Sequence, residues 1–197
     1  MWDERFSEPG YAYGTEPNEF LKSAADRIPA GRVLCLAEGE GRNAVYLAGL
    51  GFDVTAVDLS TVGLAKAEHL AEERGVSIET IHADLAEFEI EPGAWQAIVS
   101  IFCHLPPVKR AALHEGCLRG LAHGGLFILE GFTPRQLALA TGGPRSLDLL
   151  MEPDIIRQEL PGLQFEVFRE TERPVTEGKY HGGTAAVVQI LAAKALP

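Results

Sequence analysis

The sequence has little of what marks several common classes of protein. Only three of its 197 residues are cysteine (Cys35, Cys103 and Cys117), and their spacing fits neither a disulfide framework nor a zinc site, so we expect buried, reduced thiols. No apolar run approaches the roughly 20 residues that cross a bilayer. The N-terminus lacks the basic-then-apolar pattern of a signal peptide. These absences predict a cytoplasmic protein without a membrane partner.

Positive charge is also scarce. The chain has 17 lysines and arginines against 28 aspartates and glutamates, a formal net charge of −11. Proteins that bind nucleic acids need clustered cations to displace counterions from phosphate, and this sequence has no stretch rich in lysine and arginine. We therefore expect a small-molecule substrate, no nucleic acid, and a monomer or homodimer. No acidic cluster marks a cation site, so we expect no metal.

What the sequence does contain is a regular alternation of short apolar runs and helical stretches. Five runs have the length and composition of buried strands: residues 32–36, 53–57, 77–82, 94–101 and 126–130. Helical stretches precede, separate or follow them: residues 15–28, 42–50, 60–74 and 108–121. Such strands, alternating with helices, predict a parallel sheet covered on both faces. Two later strands, residues 164–172 and 184–194, have no helix between them and are expected to pair antiparallel.

The predicted fold is therefore α/β: a doubly wound, mostly parallel, seven-stranded sheet that ends in an antiparallel β-hairpin. The sequence has no internal repeat, low-complexity tract or linker. This predicts a single domain over residues 1–197. Within it, residues 1–30 form a polar segment dotted with aromatic residues, followed by the first helix.

A glycine loop and a later acid predict a nucleotide site. Gly39-Glu40-Gly41 lies between the first strand and a helix, where unpaired backbone N–H groups face a ligand. Asp58 ends the second strand, 17 residues after Gly41. In doubly wound folds an acid at this position accepts hydrogen bonds from both hydroxyls of an adenosine ribose. The alternative is a tight turn with a helix-capping aspartate, and the combined spacing favours the ribose site.

The spacing leaves two cofactors open. The pattern Gly39-x-Gly41-x-x-Ala44 satisfies the G-x-G-x-x-A fingerprint of NAD binding. Two features argue against NAD. Extra residues separate the loop from its strand, and a terminal antiparallel hairpin is not the ordinary ending of a dinucleotide-binding fold.

Nearly the whole chain resembles class I S-adenosylmethionine-dependent methyltransferases, and more narrowly the small methyltransferases related to the tellurite-resistance and thiopurine enzymes. The resemblance is carried by the order of elements, by VLCLAEGEGRNA at residues 33–44, and by WDERF and YAYGTEPN in the N-terminal segment. Glu-Gly-Arg-Asn at residues 40–43 is the most specific internal signature. Two positions depart from the general acid-x-Gly-x-Gly-x-Gly motif: Cys35 replaces the acid and Ala37 the first glycine, and Glu38 can supply a carboxylate instead.

The resemblance implies a Rossmann-like methyltransferase fold with S-adenosyl-L-methionine as the cofactor. Asp58 and Leu59 would hold the ribose and flank adenine. Asp84 and Leu85 would meet the adenine amine and ring, although Asp84 is as well explained as a helix N-cap. The backbone carbonyl at Ser100 would accept a hydrogen bond from the ammonium group. The remaining cofactor residues implied in the glycine loop and the next helix are Glu38, Gly39, Gly41 and Asn43.

Two tyrosines lie in the N-terminal segment that the resemblance places over the cofactor. The π faces of Tyr11 and Tyr13 can stabilise a sulfonium by about 0.5–2 kcal/mol. The alternative is a hydrophobic staple for the first helix, and the sequence does not decide between the two.

Methyl transfer requires few protein groups, so candidate catalytic residues rest on position. His104 directly follows the fourth strand, beside the acceptor pocket of this fold, where it is either a general base or a histidine hydrogen-bonded within its loop. Residues 173–183 are dense in polar groups and are predicted to form either a lid that uses Arg173 and His181 or a solvated loop. The expected acceptor is a thiol, a chalcogen oxyanion or a small metabolite. An NAD(P)-binding oxidoreductase and a non-catalytic S-adenosylmethionine-binding module remain the alternatives.

Overall fold

The computed structural model describes residues 2–197, and its seven strands form one sheet in the order β3-β2-β1-β4-β5-β7-β6. The strands are β1 (Arg32–Leu36), β2 (Asp53–Asp58), β3 (Glu79–His82), β4 (Trp95–Ile101), β5 (Leu121–Phe132), β6 (Leu163–Glu177) and β7 (His181–Lys194). Strands β1 to β5 pair in parallel, whereas β7 lies antiparallel between β5 and β6. The predicted fold is confirmed.

Helices cover both faces of the sheet. They are α1 (Trp2–Phe6), α2 (Glu19–Ala24), α3 (Arg42–Gly49), α4 (Thr61–Glu73), α5 (Pro107–Gly120), α6 (Gln136–Leu139) and α7 (Pro153–Glu159). Alternate residues of one strand enter different cores: Leu34 and Leu36 of β1 pack in one cluster, Val33 and Cys35 in the other. This period of two follows from the pleat of a strand, and it explains why a strand buried on both faces is apolar throughout.

The three cysteines lie in these cores, as predicted. All three are free and buried. Burial raises the pKa of the Cys103 thiol to about 12 and raises that of Cys35 well above its ordinary value. The thiols are therefore protonated and chemically inert at neutral pH.

The first long helix begins later than the sequence suggests. Residues 15–17 precede α2, because the Asn18 side chain accepts hydrogen bonds from the backbone N–H groups of Phe20 and Leu21 and so forms the cap. A short 3₁₀ turn, Ala25–Arg27, follows α2. The predicted start at Thr15 is wrong, since an asparagine held in the interior supplies the cap.

The C-terminal hairpin is longer than predicted. Residues 173–183 were expected to be a loop, yet they are mostly paired strand, with Arg173 opposite Ala185 and Glu177 opposite His181. Only three residues connect β6 to β7. The prediction of a loop is wrong because Val175, Glu177 and His181 are buried on alternate positions, while the polar residues between them face solvent.

The N-terminal segment, residues 7–18, lies across the tip of this hairpin. The backbone N–H of Ala12 donates to Glu40 Oε2 at 2.7 Å, and its carbonyl accepts from the N–H of Lys179 at 2.9 Å. Gly178 fits against the segment so closely that a Cβ there would lie 2.3 Å from the carbonyl oxygen of Ala12. The N-terminal segment and the hairpin tip together cover the carboxyl ends of the central strands. Within residues 2–197, no helix is both long and apolar enough to cross a membrane.

Candidate functional site

The central strands end side by side at one edge of the sheet. Leu36 of β1 pairs with both Val57 of β2 and Ser100 of β4. The chain turns sharply after two of these strands, since Ala37 and Phe102 adopt positive φ angles of 51° and 54°. A left-handed conformation costs an alanine or phenylalanine about 1–2 kcal/mol. Strained residues of this kind cluster at functional sites. Ala37 stands where the general motif has its first glycine, and it adopts the left-handed conformation that a glycine would adopt there more easily.

Asp58 organises the glycine loop from the end of β2. Its Oδ2 accepts from the N–H of Gly39 and its Oδ1 from the N–H of Ser60, both at 2.8 Å. Burial raises the pKa of Asp58, which these backbone hydrogen bonds oppose. The backbone N–H of Leu59 also interacts with this carboxylate, which leaves about one acceptor position for a ligand hydroxyl while the side chain holds the loop.

Replacing Asp58 with alanine is expected to weaken S-adenosylhomocysteine binding by about 2–3 kcal/mol, because charge-assisted hydrogen bonds are lost. Calorimetric titration measures the change. Asp53→Ala is the matched control, since Asp53 is an exposed aspartate at the opposite end of the same strand. Equal affinities for the two variants would remove Asp58 from the site.

Glu38 also organises this loop. Its Oε1 accepts from the N–H groups of Asn43 and Ala44, both at 2.8 Å, and thereby caps the start of α3. Burial raises the pKa of Glu38 to about 7, despite these hydrogen bonds and the nearby charge of Arg42. The carboxylate thus lies where it shapes the loop, in place of the acid that Cys35 replaces.

The raised pKa of Glu38 predicts a pH dependence of stability. The fold favours the protonated carboxyl, so its contribution is present below about pH 4.5 and is lost as pH rises to about 7. This loss amounts to about 3 kcal/mol. Urea unfolding at pH 5 and pH 8 should show a smaller fall for Glu38→Gln, whose amide oxygen can still cap α3. Equal falls in both proteins would contradict the prediction.

Several of the predicted cofactor residues lie beside the glycine loop. Leu59, directly after Asp58, is 54% exposed and offers an apolar face beside the Asp58 carboxylate. Asp84 accepts from the N–H of Ala86 and so caps a turn, while its other oxygen lies 3.8 Å from Lys109 Nζ. Leu85 and Ser100 are buried next to these positions. The predicted cofactor residues are therefore gathered at one edge of the sheet.

Two predicted cofactor residues make other contacts. Tyr11 packs on α3 and α4 beside Val45 and Leu70, with Lys66 Nζ 5.8 Å from its ring centre. This packing on α3 and α4 means that Tyr11 is not a hydrophobic staple for the first helix, and its contact with the cofactor stays a prediction. The Asn43 side chain accepts from the backbone N–H of Asn18 at 2.9 Å, so it holds the N-terminal segment.

Three aromatic side chains pack around His181 at the start of β7, and this cluster of rings is called the aromatic pocket. The ring centre of His181 lies 4.6 Å from that of Tyr13, 4.8 Å from Phe102 and 5.2 Å from Phe132. Nδ1 lies 3.3 Å from Glu177 Oε2, which orients the ring by accepting a hydrogen bond from the Nδ1–H group. Among residues 2–197, Nε2 of His181 takes part in no hydrogen bond, and it is not one of the fully buried atoms that lack a partner, so it keeps some contact with solvent. Nε2 is thus the imidazole nitrogen that is not engaged by the protein.

His104 lies near the same pocket but uses both ring nitrogens. Nδ1 is 2.8 Å from the carbonyl oxygen of Leu149, to which it donates, and Nε2 accepts from the N–H of Phe132 at 3.3 Å. Burial lowers the pKa of His104 to about 4. This geometry favours a histidine hydrogen-bonded within its loop, and it gives the expected base role of His104 no support.

Arg173 belongs to a buried network of charges rather than to an open binding surface. Its Nε donates to Glu130 Oε2 at 3.0 Å and its Nη2 to Glu177 Oε1 at 3.1 Å. Arg42 Nη2 donates to Glu177 Oε2 at 2.8 Å, and Asn18 Nδ2 to Glu130 Oε1 at 2.8 Å. Two arginines therefore face two glutamates, and their charges compensate.

Several residues of this network and of the aromatic pocket were given no functional role by sequence reasoning. Asn18, Arg42, Glu177, Phe102 and Phe132 come from five separate parts of the chain. Glu177 and His181 are four residues apart in the sequence. They lie opposite each other because the tight turn between β6 and β7 falls between them. The sequence shows no pattern that fixes the turn there.

Known proteins match both the sequence and the fold. A family model described as "Methyltransferase domain" matches residues 33–125, from β1 to β5. No curated protein matches the sequence. TehB from Haemophilus influenzae is 21% identical with a TM-score of 0.75, over 90% of this chain and 62% of that one. Magnesium protoporphyrin IX methyltransferase from Synechocystis PCC 6803, solved with bound SAH, is 18% identical with a TM-score of 0.66, over 88% and 78%.

A third structure comes from a study of the conversion of a disulfide bond into a thioacetal group during echinomycin biosynthesis. It is 19% identical with a TM-score of 0.76, over 96% of this chain and 86% of that one. Identities this low show a shared fold.

The fold, the glycine loop and the match of a methyltransferase-domain model over residues 33–125 support a class I S-adenosylmethionine-dependent methyltransferase. They support an enzyme of this class that uses S-adenosylmethionine as its cofactor. NAD, which the G-x-G-x-x-A pattern left open, is thereby set aside.

Proposed function

We propose that this methyltransferase acts on a small thiol. The observation that carries the proposal is His181, whose free Nε2 lies in an aromatic pocket while Glu177 holds Nδ1. A thiol carries a proton that must leave before its sulfur can attack, and sulfur packs favourably against aromatic rings. His181 can take the proton, and the aromatic rings around it can pack against the sulfur.

A chalcogen oxyanion is less well matched to this site. It is already deprotonated, so it needs cations rather than a base. The two nearby arginines, Arg42 and Arg173, are each paired with glutamates at 2.8–3.1 Å. The buried network therefore offers an anion little uncompensated positive charge.

S-adenosylmethionine, when bound, supplies a methyl group already activated by its sulfonium. Asp58 and the glycine loop would hold its adenosyl part. The protein's own task is to orient the acceptor and to take its proton. The proton of the thiol would pass to Nε2 of His181, and the sulfur would keep the electron pair with which it bonds to the methyl carbon. The methyl–sulfonium bond would break in the same step, and S-adenosylhomocysteine would leave. Glu177 stabilises the imidazolium that results.

Three segments exclude water from the pocket. The N-terminal segment and the hairpin tip meet over the strand ends, and Tyr13 brings its ring onto His181. The loop after α6 closes another side: a Cβ on Gly142 would lie 3.1 Å from His181 Cδ2, and one on Gly143 would lie 2.6 Å from the Phe132 ring. A pocket this closely covered suits a small acceptor.

Two measurements test the proposal in order. Calorimetric titration with S-adenosylhomocysteine, with NAD as the parallel control, should show micromolar binding of the former alone. The assay then measures methyl transfer to thiophenol and 2-mercaptoethanol, with selenite as the oxyanion. We expect methylated thiols and no product from selenite. Transfer to selenite alone, or to none of the three by protein that binds S-adenosylhomocysteine, would overturn the assignment of a thiol.

A further inference from the structure

The signature Glu40-Gly41-Arg42-Asn43 has polar side chains that reach away from the loop they begin. Glu40 binds the backbone of Ala12, and Asn43 binds the backbone of Asn18, so both anchor the N-terminal segment. Arg42 instead reaches the hairpin, where its Nη2 donates to Glu177 Oε2. The most specific motif of the sequence thus connects the start of α3 to the segments that close the site.

Arg42 and His181 share one oxygen atom. Glu177 Oε2 lies 2.8 Å from Arg42 Nη2 and 3.3 Å from His181 Nδ1. The side chains of Arg42, Glu177 and His181 are each at most 9% exposed, so their charges interact with little screening by water. If Arg42 no longer pairs with this oxygen, the position and the effective charge of the Glu177 carboxylate beside His181 change.

The geometry points to Arg42 as a positioning residue that acts through Glu177 on His181 and so couples the helix after the cofactor loop to the base of the acceptor pocket. This inference rests on the proposed function, which gives His181 its role. Arg42 holds the carboxylate in place and compensates part of its charge. Glu177 then orients the imidazole without strongly favouring its protonated form. This matters because a protonated imidazole cannot act as a base.

The surroundings of His181 define the sign of the expected effect. Besides Glu177 and Arg42, the ionisable groups near it from neighbouring elements are Tyr13, His104, Glu130 and Arg173. Removing the charge of Arg42 leaves Glu177 freer to stabilise the imidazolium and also removes a repelling cation. Both changes favour protonated His181, so its titration midpoint should move upward by about 1 pH unit.

The test follows the titration of His181 by NMR in protein labelled with ¹⁵N-histidine, with the His181→Gln spectrum assigning the resonance among six histidines. We expect an upward shift of about 1 pH unit in Arg42→Met and a smaller one in Arg42→Lys, which keeps the charge. The acid limb of the pH profile of kcat/KM should move in the same direction. Arg119→Met is the control, since it removes an arginine whose pair with Glu115 is exposed.

Glu177→Gln keeps the inference testable if Arg42→Met does not fold. It removes the shared carboxylate charge, so the His181 midpoint should move downward and Arg42→Lys should then add no further shift. An unchanged His181 titration in folded Arg42→Met would overturn the inference. Failure of the proposed function is distinguishable, because wild-type protein that methylates no thiol still gives a His181 titration.

Discussion

His181→Gln is expected to lower kcat for methyl transfer to a thiol by a factor of about 10²–10⁴, the usual contribution of a positioned base. Affinity for S-adenosylhomocysteine should be unchanged, because His181 lies in the aromatic pocket and not at the glycine loop. His69→Gln is the matched control, since His69 is an exposed histidine on α4. A variant with full activity would remove His181 from the mechanism.

The pH dependence of the activity lost in His181→Gln distinguishes two causes: loss of a base, and a change in the shape of the aromatic pocket. An alkyl thiol such as that of cysteine ionises at about pH 8.5 in solution, so this comparison uses an alkyl and not an aryl thiol. Above that pH the acceptor arrives already deprotonated, so the defect of His181→Gln should shrink as pH rises. A defect that is the same at pH 7 and pH 9.5 would indicate that His181 only shapes the pocket. His104 does not substitute, because both of its ring nitrogens are engaged with backbone groups.

Glu130→Ala is expected to destabilise the protein by about 3–5 kcal/mol, the usual result of removing one partner of a buried ion pair. Glu130 is completely buried and accepts hydrogen bonds from Arg173, Asn18 and Gln189. Its loss leaves Arg173 with only Glu177 as a charged partner. The free energy of unfolding in urea measures the effect.

Two further variants identify the cause. Glu115→Ala removes a glutamate from an exposed pair with Arg119 and should cost at most about 1 kcal/mol. Arg173→Met combined with Glu130→Ala should cost less than the sum of the single changes, because the second removes the charge that the first left unpaired. Additive effects would show that Glu130 stabilises the fold without coupling to Arg173.

The sheet could be predicted from sequence because its signals are local. The first strand is found at Arg32–Leu36, as expected, since an apolar pentapeptide ahead of a glycine loop is typical of a strand covered on both faces. The second strand and the cap at Ser60 were also recognisable within a few residues. Elements of this kind can be recognised from a few adjacent residues, without knowledge of contacts elsewhere in the chain.

The parts that were not predicted depend on contacts between distant residues. The cap of α2 is set by Asn18, which is held by Asn43 and Glu130, 25 and 112 positions away. Residues 173–183 contain the charged groups of a loop, but the buried ones among them are neutralised by Arg42 and Glu130. A sequence of polar residues cannot show which of them have partners in the interior.

The contact between the N-terminal segment and the hairpin tip also has a consequence for folding during synthesis. Lys179 Nζ donates to the carbonyl of Pro9, and these residues are 170 positions apart. This contact has to wait until the hairpin has been synthesised, almost the whole length of the chain after Pro9. The N-terminal segment therefore cannot close over His181 until the end of synthesis, so closure of the site should be among the last steps of folding.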